Sequence, residues 1–197
     1  MKRRDGIVFF DTIDARDLEL VANELGATIN QLRYALHFAL RRTEAALRKN
    51  ATTELKRELG LRTAVALRSR IKKLKIRSSM VMQRNGESRG EVGLWFGLNE
   101  LPVSAFKGTP KQDYAGAFMN DYFFEDGFVA KSEYSNKKTI FKRAGKRRTP
   151  IREQTIAIHQ QGMDYIEDNL FERAEDMFWQ HFRRDLAARV KYQIGGL

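Results

Sequence analysis

The chain has 197 residues, 42% of them hydrophobic, which is enough to bury a core and excludes a fully disordered protein. It contains no cysteine, so disulfides, thiolate metal sites and cysteine nucleophiles are excluded. We therefore expect the protein to be made and used in a cytoplasm, or in a particle assembled there. A net charge of +11 favours nucleic acid or an acidic protein surface as partner, and no apolar run reaches the roughly eighteen residues that a membrane span needs.

The positive charge is concentrated in one third of the chain. Residues 1–30 carry 4 basic and 6 acidic side chains, which is a net charge of −2. Residues 31–90 carry 16 basic and 4 acidic side chains, a net charge of +12. Residues 91–197 carry 16 basic and 15 acidic side chains, a net charge of +1. This asymmetry indicates a localised basic surface.

The first long element is a predicted helix over residues 14–48. Asp14 or Asp17 would cap its start, and Gly26 weakens the prediction of one unbroken helix. Its apolar residues recur at a spacing of three to four, which is typical of a helix face packed against a core. These residues are Leu18, Val21, Leu25, Ile29, Leu32, Leu36, Leu40 and Leu47.

Residues 53–73 predict a helical corner. A short helix, a C-cap at Gly60 and a second helix from about Thr63 give the outline of a helix-turn-helix. Its basic residues would suit a DNA backbone, so a DNA-binding protein is the alternative function. The other interpretation, which we favour, is a corner that joins the long helix to a sheet. The basic residues are Arg62, Arg68, Arg70, Lys72 and Lys73.

Residues 74–158 change to a period of two and predict short strands. These lie around Leu74 and Ile76, Val92 to Phe96, Val103 to Phe106, Phe128, Ile140, and Ile156 to Ile158. Asn85-Gly86 predicts a turn between the first two strands, and residues 107–116 predict a polar loop. A second amphipathic helix is predicted over residues 161–191, with acidic residues in its first half and basic residues near its end.

These elements together predict an α+β fold. We expect a long N-terminal helix and a helical corner, a central and mostly antiparallel β-sheet or sandwich, and a long C-terminal amphipathic helix. With no repeat and no low-complexity linker, the chain is predicted to be one domain over 1–197, helical over 14–73, β-rich over 74–158 and ending in the helix at 161–191.

A basic turn and an acidic helix are the candidate interaction sites. Residues 134–152 contain eight Lys or Arg and no Asp or Glu, and they read as a strand, a tight turn and a strand. The turn is interpreted as a solvent-exposed hairpin tip, as a grip on phosphate, or as a contact with carboxylates. In a ring of identical subunits, the basic turn of one copy could meet the acidic helix of the next.

The candidates fall into two sets. The interface or DNA-channel candidates are Lys142, Arg143, Lys146, Arg147, Arg148, Arg68, Arg70, Lys72 and Lys73. The acidic interface candidates are Glu167, Asp168, Glu172, Glu175 and Asp176.

No pattern of residues points to catalysis. His37, His159 and His181 are far apart and have no metal-ligand spacing. The carboxylate pairs at 125–126 and 167–168 are of a kind that can hold Mg²⁺, but neighbouring acids are more often a solvated face. The sequence contains no phosphate-binding loop, nucleophile elbow or zinc motif, so we expect no enzyme activity, no cofactor and no metal site.

Three stretches resemble a known family. They are GLWFGLNELPVSAF at 93–106, GAF at 116–118 and IFKRAGKRRTPI at 140–151. Set between a long N-terminal helix and a C-terminal amphipathic helix, they resemble the minor tail protein Z family of tailed phages and prophages, also called tail completion proteins. The resemblance covers residues 14–190, and related neck and tail-terminator proteins share the same plan.

The resemblance implies a structural role in the virion. Such a protein would cap the head-proximal end of the tail tube, after assembly in the host cytoplasm, and make the tail competent for head–tail joining. The expected partners are further copies of itself in a ring, taken to be a hexamer, the tail tube or tail terminator protein, and the head–tail connector proteins. Non-specific contact with genomic DNA in the channel is also expected, and no membrane.

Overall fold

The computed structural model describes residues 7–73, 77–79, 89–132 and 137–195. In chain order, the elements are β1 (Ile7–Asp14), α1 (Ala15–Glu24), α2 (Ile29–Glu58), α3 (Val65–Arg68), β2 (Ile71–Lys73), β3 (Arg77–Ser79), β4 (Arg89–Phe96), β5 (Leu101–Pro102), a 3₁₀ turn (Val103–Ala105), β6 (Lys111–Gln112), β7 (Gly116–Met119), β8 (Tyr122–Glu125), β9 (Phe128–Lys131), β10 (Lys138–Arg143), β11 (Ile151–Glu153), β12 (Thr155–Ile156), α4 (His159–Tyr165), a π-helical segment (Ile166–Phe171) and α5 (Glu172–Lys191).

The predicted α+β class is confirmed. All described strand pairs are antiparallel, and they form several small sheets. The chain divides into two compact units, each assembled from separate segments. The first contains Met1–Thr52, Ser69–Gly97 and Tyr165–Leu197, and the second contains Thr53–Arg68 and Leu98–Asp164. That the whole chain is one domain stays a prediction.

Local capping sets the helix boundaries of the first unit. The Asp14 carboxylate accepts a hydrogen bond from the Arg16 backbone N–H at 3.0 Å, so the predicted cap at Asp14 is confirmed. Gly26 adopts a φ of +64°, which ends the first helix soon after Glu24. Thr28 and Gln31 then form a capping box, with each side chain accepting from the other residue's backbone N–H.

The core of the first unit joins one sheet to the helix faces. Strand β4 pairs with β1 and β2, so that Phe96 lies opposite both Ile7 and Ile71.

Buried residues of α5 and the π-helical segment follow one another at intervals of four. In a regular α-helix this repeat would drift about 40° at each step, and the wider π turn absorbs part of the drift. These buried residues are Ile166, Leu170, Ala174, Phe178, Phe182 and Leu186.

The second unit contains three small sheets, with strand orders β11-β10-β9, β6-β7-β8 and β12-β5. Its core includes Leu61, Leu101 and Ile140. Gly60 ends α2 with a φ of +62°. The Arg62 guanidinium donates to the backbone oxygens of Phe106 and Gly108. The glycine boundary at 60 agrees with the sequence prediction, but Arg62 holds a loop in place and is not available to a DNA backbone.

The helix-turn-helix outline is wrong in both helices. Residues 53–58 are the end of the long α2 and not a separate short helix. The second helix, α3, lasts four residues, because the chain then extends and Ile71–Lys73 pairs with β4. Backbone pairing with a central strand outweighs the helix propensity of residues 63–73.

Four further predictions need correction. The helix over 14–48 is broken at Gly26 and preceded by β1, which the sequence reading missed. The strand expected at 103–106 is a 3₁₀ turn, because the Phe106 N–H bonds back to the Val103 oxygen. The loop at 107–116 contains β6, which pairs with β7. The C-terminal helical region begins at His159 and includes the π-helical segment. The turn predicted at Asn85-Gly86 and the strand predicted around Leu74 and Ile76 lie outside the described residues.

Candidate interaction site at the β10–β11 turn

Residues 139–151 form a β-hairpin, as predicted, but the two strands are joined by a seven-residue loop and not by a tight turn. Strand β10 pairs with β11, with Phe141 opposite Glu153 and Arg143 opposite Ile151. The connecting residues 144–150 are closed by a 3.0 Å hydrogen bond from the Ala144 N–H to the Pro150 oxygen. The hairpin is fixed at its base, where Glu153 accepts from the Thr139 hydroxyl at 2.6 Å and from the Ser104 N–H at 2.9 Å.

The five predicted cations of this hairpin cluster at its end. Arg143, Lys146, Arg147 and Arg148 are exposed. Lys142 pairs with Asp126 at 3.7 Å, but their side chains are 40% and 78% exposed, so solvent screening leaves the pair little energy. The Arg143 guanidinium lies 5.8 Å from the centre of the Phe128 ring, a cation–π distance. Within the described ranges, the turn has no other ion pair, so its charge faces solvent.

An open groove of about 690 Å³ runs beside the turn. One wall comes from the hairpin itself, at residues 142–146, and the other from the β6–β7 and β8–β9 turns. Tyr114 lies on the second wall with its side chain 99% exposed, and Phe128 forms part of the lining. The groove presents three cations and aromatic faces together, with the Asp126 carboxylate also in its lining, so its net positive charge suits an anionic partner that also brings apolar surface.

Gln112 holds the second wall together. Its amide N–H₂ group lies 2.7 Å from the Gly116 oxygen, 3.0 Å from the Asp113 oxygen and 3.2 Å from the Gly127 oxygen. Its amide oxygen accepts from the Val129 N–H at 2.8 Å. One side chain thus links the β6–β7 turn, the β8–β9 turn and β9. Sequence reading missed it because a glutamine in a polar stretch gives no signal of its partners.

Gln112 is exposed, so replacing it with Glu is expected to lower the free energy of unfolding by about 0.5–1.5 kcal/mol. The carboxylate keeps the acceptor for Val129 but loses every donor and faces three carbonyl oxygens. Chemical denaturation followed by circular dichroism measures the loss. The matched control is Gln154→Glu, because the Gln154 amide makes a single 3.4 Å bond to the Arg152 oxygen. Equal losses in both variants would contradict the role given to Gln112.

The five acidic candidates lie in the first unit, on the π-helical segment and the first turns of α5. All five side chains are exposed, and none has an ion-pair partner within 4 Å in the described part of the chain. The Glu175 carboxylate accepts a 3.2 Å hydrogen bond from the Trp179 indole. The acidic stretch therefore faces solvent, as the basic turn does. It consists of Glu167, Asp168, Glu172, Glu175 and Asp176.

The remaining basic candidates are divided between the two units. Arg68 ends α3 in the second unit, whereas Arg70, Lys72 and Lys73 belong to the first. Lys72 lies over the Trp95 ring at 5.3 Å, and Lys73 pairs with Glu44 at 3.2 Å. Because these residues lie on or beside a strand and a one-turn helix, they do not form the recognition helix predicted within residues 53–73.

The three histidines lie on three different helices, α2, α4 and α5. Burial and then the neighbouring Arg42 and Arg184 lower the pKa of His181. Over the described residues, no group of three His, Asp or Glu side chains is placed to hold a metal ion. None of the described helices is long and apolar enough to cross a membrane.

No family model matches the chain, and no curated protein and no solved structure matches it at a significant level. The link to tail completion proteins therefore stays a prediction from the three sequence stretches and their order.

Proposed function

We propose that this chain is a structural tail completion or neck protein of a tailed phage or prophage. It would cap the head-proximal end of the tail tube as a ring, expected to be a hexamer, and enable head–tail joining. The proposal includes no catalytic role. The observation that carries it is a pair of exposed, opposite and unneutralised charge clusters in one chain: the basic turn and the acidic stretch.

The electrostatic argument begins with the basic turn. Arg143, Lys146, Arg147 and Arg148 are held on a hairpin whose ends are hydrogen-bonded, so the cations share one small surface. Like charges held together cost free energy unless a partner neutralises them. Arginine pairs bidentately with carboxylates, which makes an acidic protein surface a suitable partner.

The acidic stretch supplies such a surface on the same chain. A contact between the basic turn of one copy and the acidic stretch of the next joins two different surface patches. Such a heterologous contact generates a closed ring when its rotation closes. The sequence resemblance then supplies the biological setting, because a ring at the end of the tail tube is what tail completion requires.

The alternative, a DNA-binding protein that uses residues 53–73, finds no support in the geometry. The second helix is a single turn, and Arg62 is bound to backbone oxygens of its own unit. A recognition helix needs several turns to place side chains in the major groove. The basic turn is therefore a better candidate than residues 53–73 for the surface that binds a partner.

Native mass spectrometry of the purified protein tests the assembly. We expect a closed oligomer, with the hexamer as the expected species, and ring-shaped particles in negative-stain images. The purified protein should also bind one end of isolated tails that lack their completion protein, and restore joining to filled heads. A protein that stays monomeric at high micromolar concentration and does not bind tails would overturn the proposal.

A further inference from the structure

The β7–β8 hairpin of the second unit presents an exposed aromatic edge. Strand β8 lies at the end of the sheet β6-β7-β8, and no other described strand pairs with it. Tyr122 and Phe123 on this strand are 44% and 46% exposed, and Phe118 on β7 is 38% exposed. The rings of Phe118 and Phe123 lie 4.6 Å apart between their centres. Residues 121–125 define the β8 edge.

The backbone of the β8 edge directs hydrogen-bonding groups away from its own sheet. In an antiparallel pair, alternate residues turn their N–H and C=O groups toward the same neighbour. The Asp126 N–H donates to the Ala115 oxygen at 3.0 Å, so the even-numbered residues of β8 face β7. Phe123 and Glu125 therefore direct their N–H and C=O groups outward, and these groups have no partner among the described residues. Such an edge can accept a further strand from another chain.

Contacts at both ends hold the β8 edge in place. Asn120, at the tip of the hairpin, has a φ of 52°, and its amide donates to the Lys107 oxygen at 3.2 Å. At the other end, a Cβ on Gly116 would lie 2.2 Å from the Phe124 oxygen, so glycine allows the two strands to approach closely. Because the edge is fixed before a partner binds, little ordering of the protein opposes binding.

Two exposed carboxylates flank the aromatic centre of the β8 edge. Asp121 and Glu125 lie two residues before and after Phe123, and neither makes an ion pair within the described ranges. Two residues of an extended strand span about 7 Å. Lys111 is exposed on β6, but two strand spacings, about 9–10 Å, separate its backbone from that of β8. The edge thus has the order acid, aromatic, acid and a net charge of −2.

We propose that the β8 edge binds an extended segment of a partner protein, which adds to the sheet as an antiparallel strand. Every described strand pair of this chain is antiparallel. Opposite charges on directly opposed residues of neighbouring strands are stabilising. The segment therefore carries basic, apolar and basic side chains at alternate positions, so that its cations lie opposite Asp121 and Glu125.

A second copy of the β8 edge is a poor partner. In the register that places the two Phe123 rings opposite each other, Asp121 of one copy would oppose Glu125 of the other, and like charges so placed are destabilising. The β8 edge is also a different surface from the basic turn, since none of residues 121–125 lines the groove beside that turn. The proposal therefore does not depend on the proposed function.

Fluorescence anisotropy with a labelled synthetic peptide tests the proposal. The alternating peptide has the sequence Thr-Lys-Thr-Phe-Thr-Lys-Thr, and a rearranged peptide of the same composition is Lys-Lys-Thr-Thr-Phe-Thr-Thr. The wild-type chain should bind the alternating peptide more tightly than the rearranged one. The Asp121→Asn/Glu125→Gln variant should weaken binding of the alternating peptide about two- to thirtyfold, because two opposite-charge pairs are lost.

N-methylation of the peptide separates strand addition from attraction between charges alone. In antiparallel addition, the Phe of the peptide lies opposite Phe123 and exchanges backbone hydrogen bonds with it. N-methylation of that Phe should therefore abolish binding. N-methylation of the Thr that follows it removes an N–H that points away from β8, and should leave the affinity unchanged. Bound peptide should also slow hydrogen exchange at the N–H groups of Phe123 and Glu125.

The matched control is Glu172→Gln/Asp176→Asn, which makes the same change in net charge within the acidic stretch of the first unit. This control should keep the wild-type affinity for the alternating peptide but weaken ring formation. The Asp121→Asn/Glu125→Gln variant should do the reverse. Failure of the proposed function and failure of strand addition therefore give different results.

Charge reversal guards against a variant that has merely lost its fold. The Asp121→Lys/Glu125→Lys chain should bind Thr-Glu-Thr-Phe-Thr-Glu-Thr in place of the alternating peptide, which would support the proposal. Equal affinities for the alternating and rearranged peptides, or for the two N-methylated peptides, would overturn it. So would no binding at millimolar peptide, or equal losses in the Asp121→Asn/Glu125→Gln variant and its control. Loss of rings, and not of peptide affinity, in that variant would assign the edge to a contact between copies and also overturn it.

Discussion

Changing both Arg147 and Arg148 to Glu is expected to abolish self-association and tail completion while the subunit stays folded. Both side chains are exposed, and neither makes an ion pair within the described segments, so their replacement removes no internal contact. The change of four charge units at the turn would place like charges against the acidic stretch of the neighbouring copy, which costs several kcal/mol at an interface. Native mass spectrometry and the titre of completed phage measure the two effects.

A charge exchange tests the partner of the turn. Glu172→Lys/Asp176→Lys should also block assembly when tested alone. Combined in one chain with Arg147→Glu/Arg148→Glu, it should restore rings, because the two patches again have opposite signs. Lys131→Glu/Lys138→Glu is the matched control, since these exposed lysines face each other at the end of β10 opposite the turn and should leave assembly intact. Normal infectivity of the Arg147→Glu/Arg148→Glu phage would count against an interface at the turn.

Replacing Phe182 with Ala should lower the free energy of unfolding by about 3–5 kcal/mol. Phe182 is 0% exposed, its ring stacks on Phe178 at 5.6 Å between ring centres, and it meets the Trp179 ring edge-on at 5.7 Å. Truncation leaves a cavity among aromatic rings that cannot collapse freely. Urea denaturation followed by circular dichroism gives the change in the free energy of unfolding.

The control for this truncation is Tyr114→Ala. The Tyr114 side chain is 99% exposed, so its removal should change the free energy of unfolding by no more than about 0.5 kcal/mol. A loss below about 1 kcal/mol for Phe182→Ala would contradict the position of that ring at the centre of the core.

Much of the fold follows from local features of the sequence. The cap at Asp14 could be predicted because its side chain accepts a hydrogen bond from a residue only two positions away. The helix boundaries at Gly26 and Gly60 could be predicted because glycine readily adopts the left-handed conformation that ends a helix. The hairpin at 139–151 was readable because alternation and a charged turn lie in one short stretch. The α+β class follows from the same periodicities.

Other elements could not be predicted from the sequence, because pairing with segments distant in the chain determines their secondary structure. Residues 71–73 have the composition of a basic helix end, but they form a strand that pairs with β4. Residues 111–112 look like a polar loop, and they pair with β7 while the Gln112 amide links three backbone oxygens. In each case the deciding hydrogen bonds join segments that local propensity does not connect.

The excess of basic residues at 31–90 and the opposite charges of the basic turn and the C-terminal helix follow from the residue order alone. Which of these charges face solvent depends on how the chain folds. Asp185 pairs with Arg42, which is far from it in the chain, and Glu44 is buried against Lys73, so neither carboxylate is left for a partner protein. The physical reason is that net charge is a sum over residues, whereas burial and pairing depend on which distant segments the fold brings together.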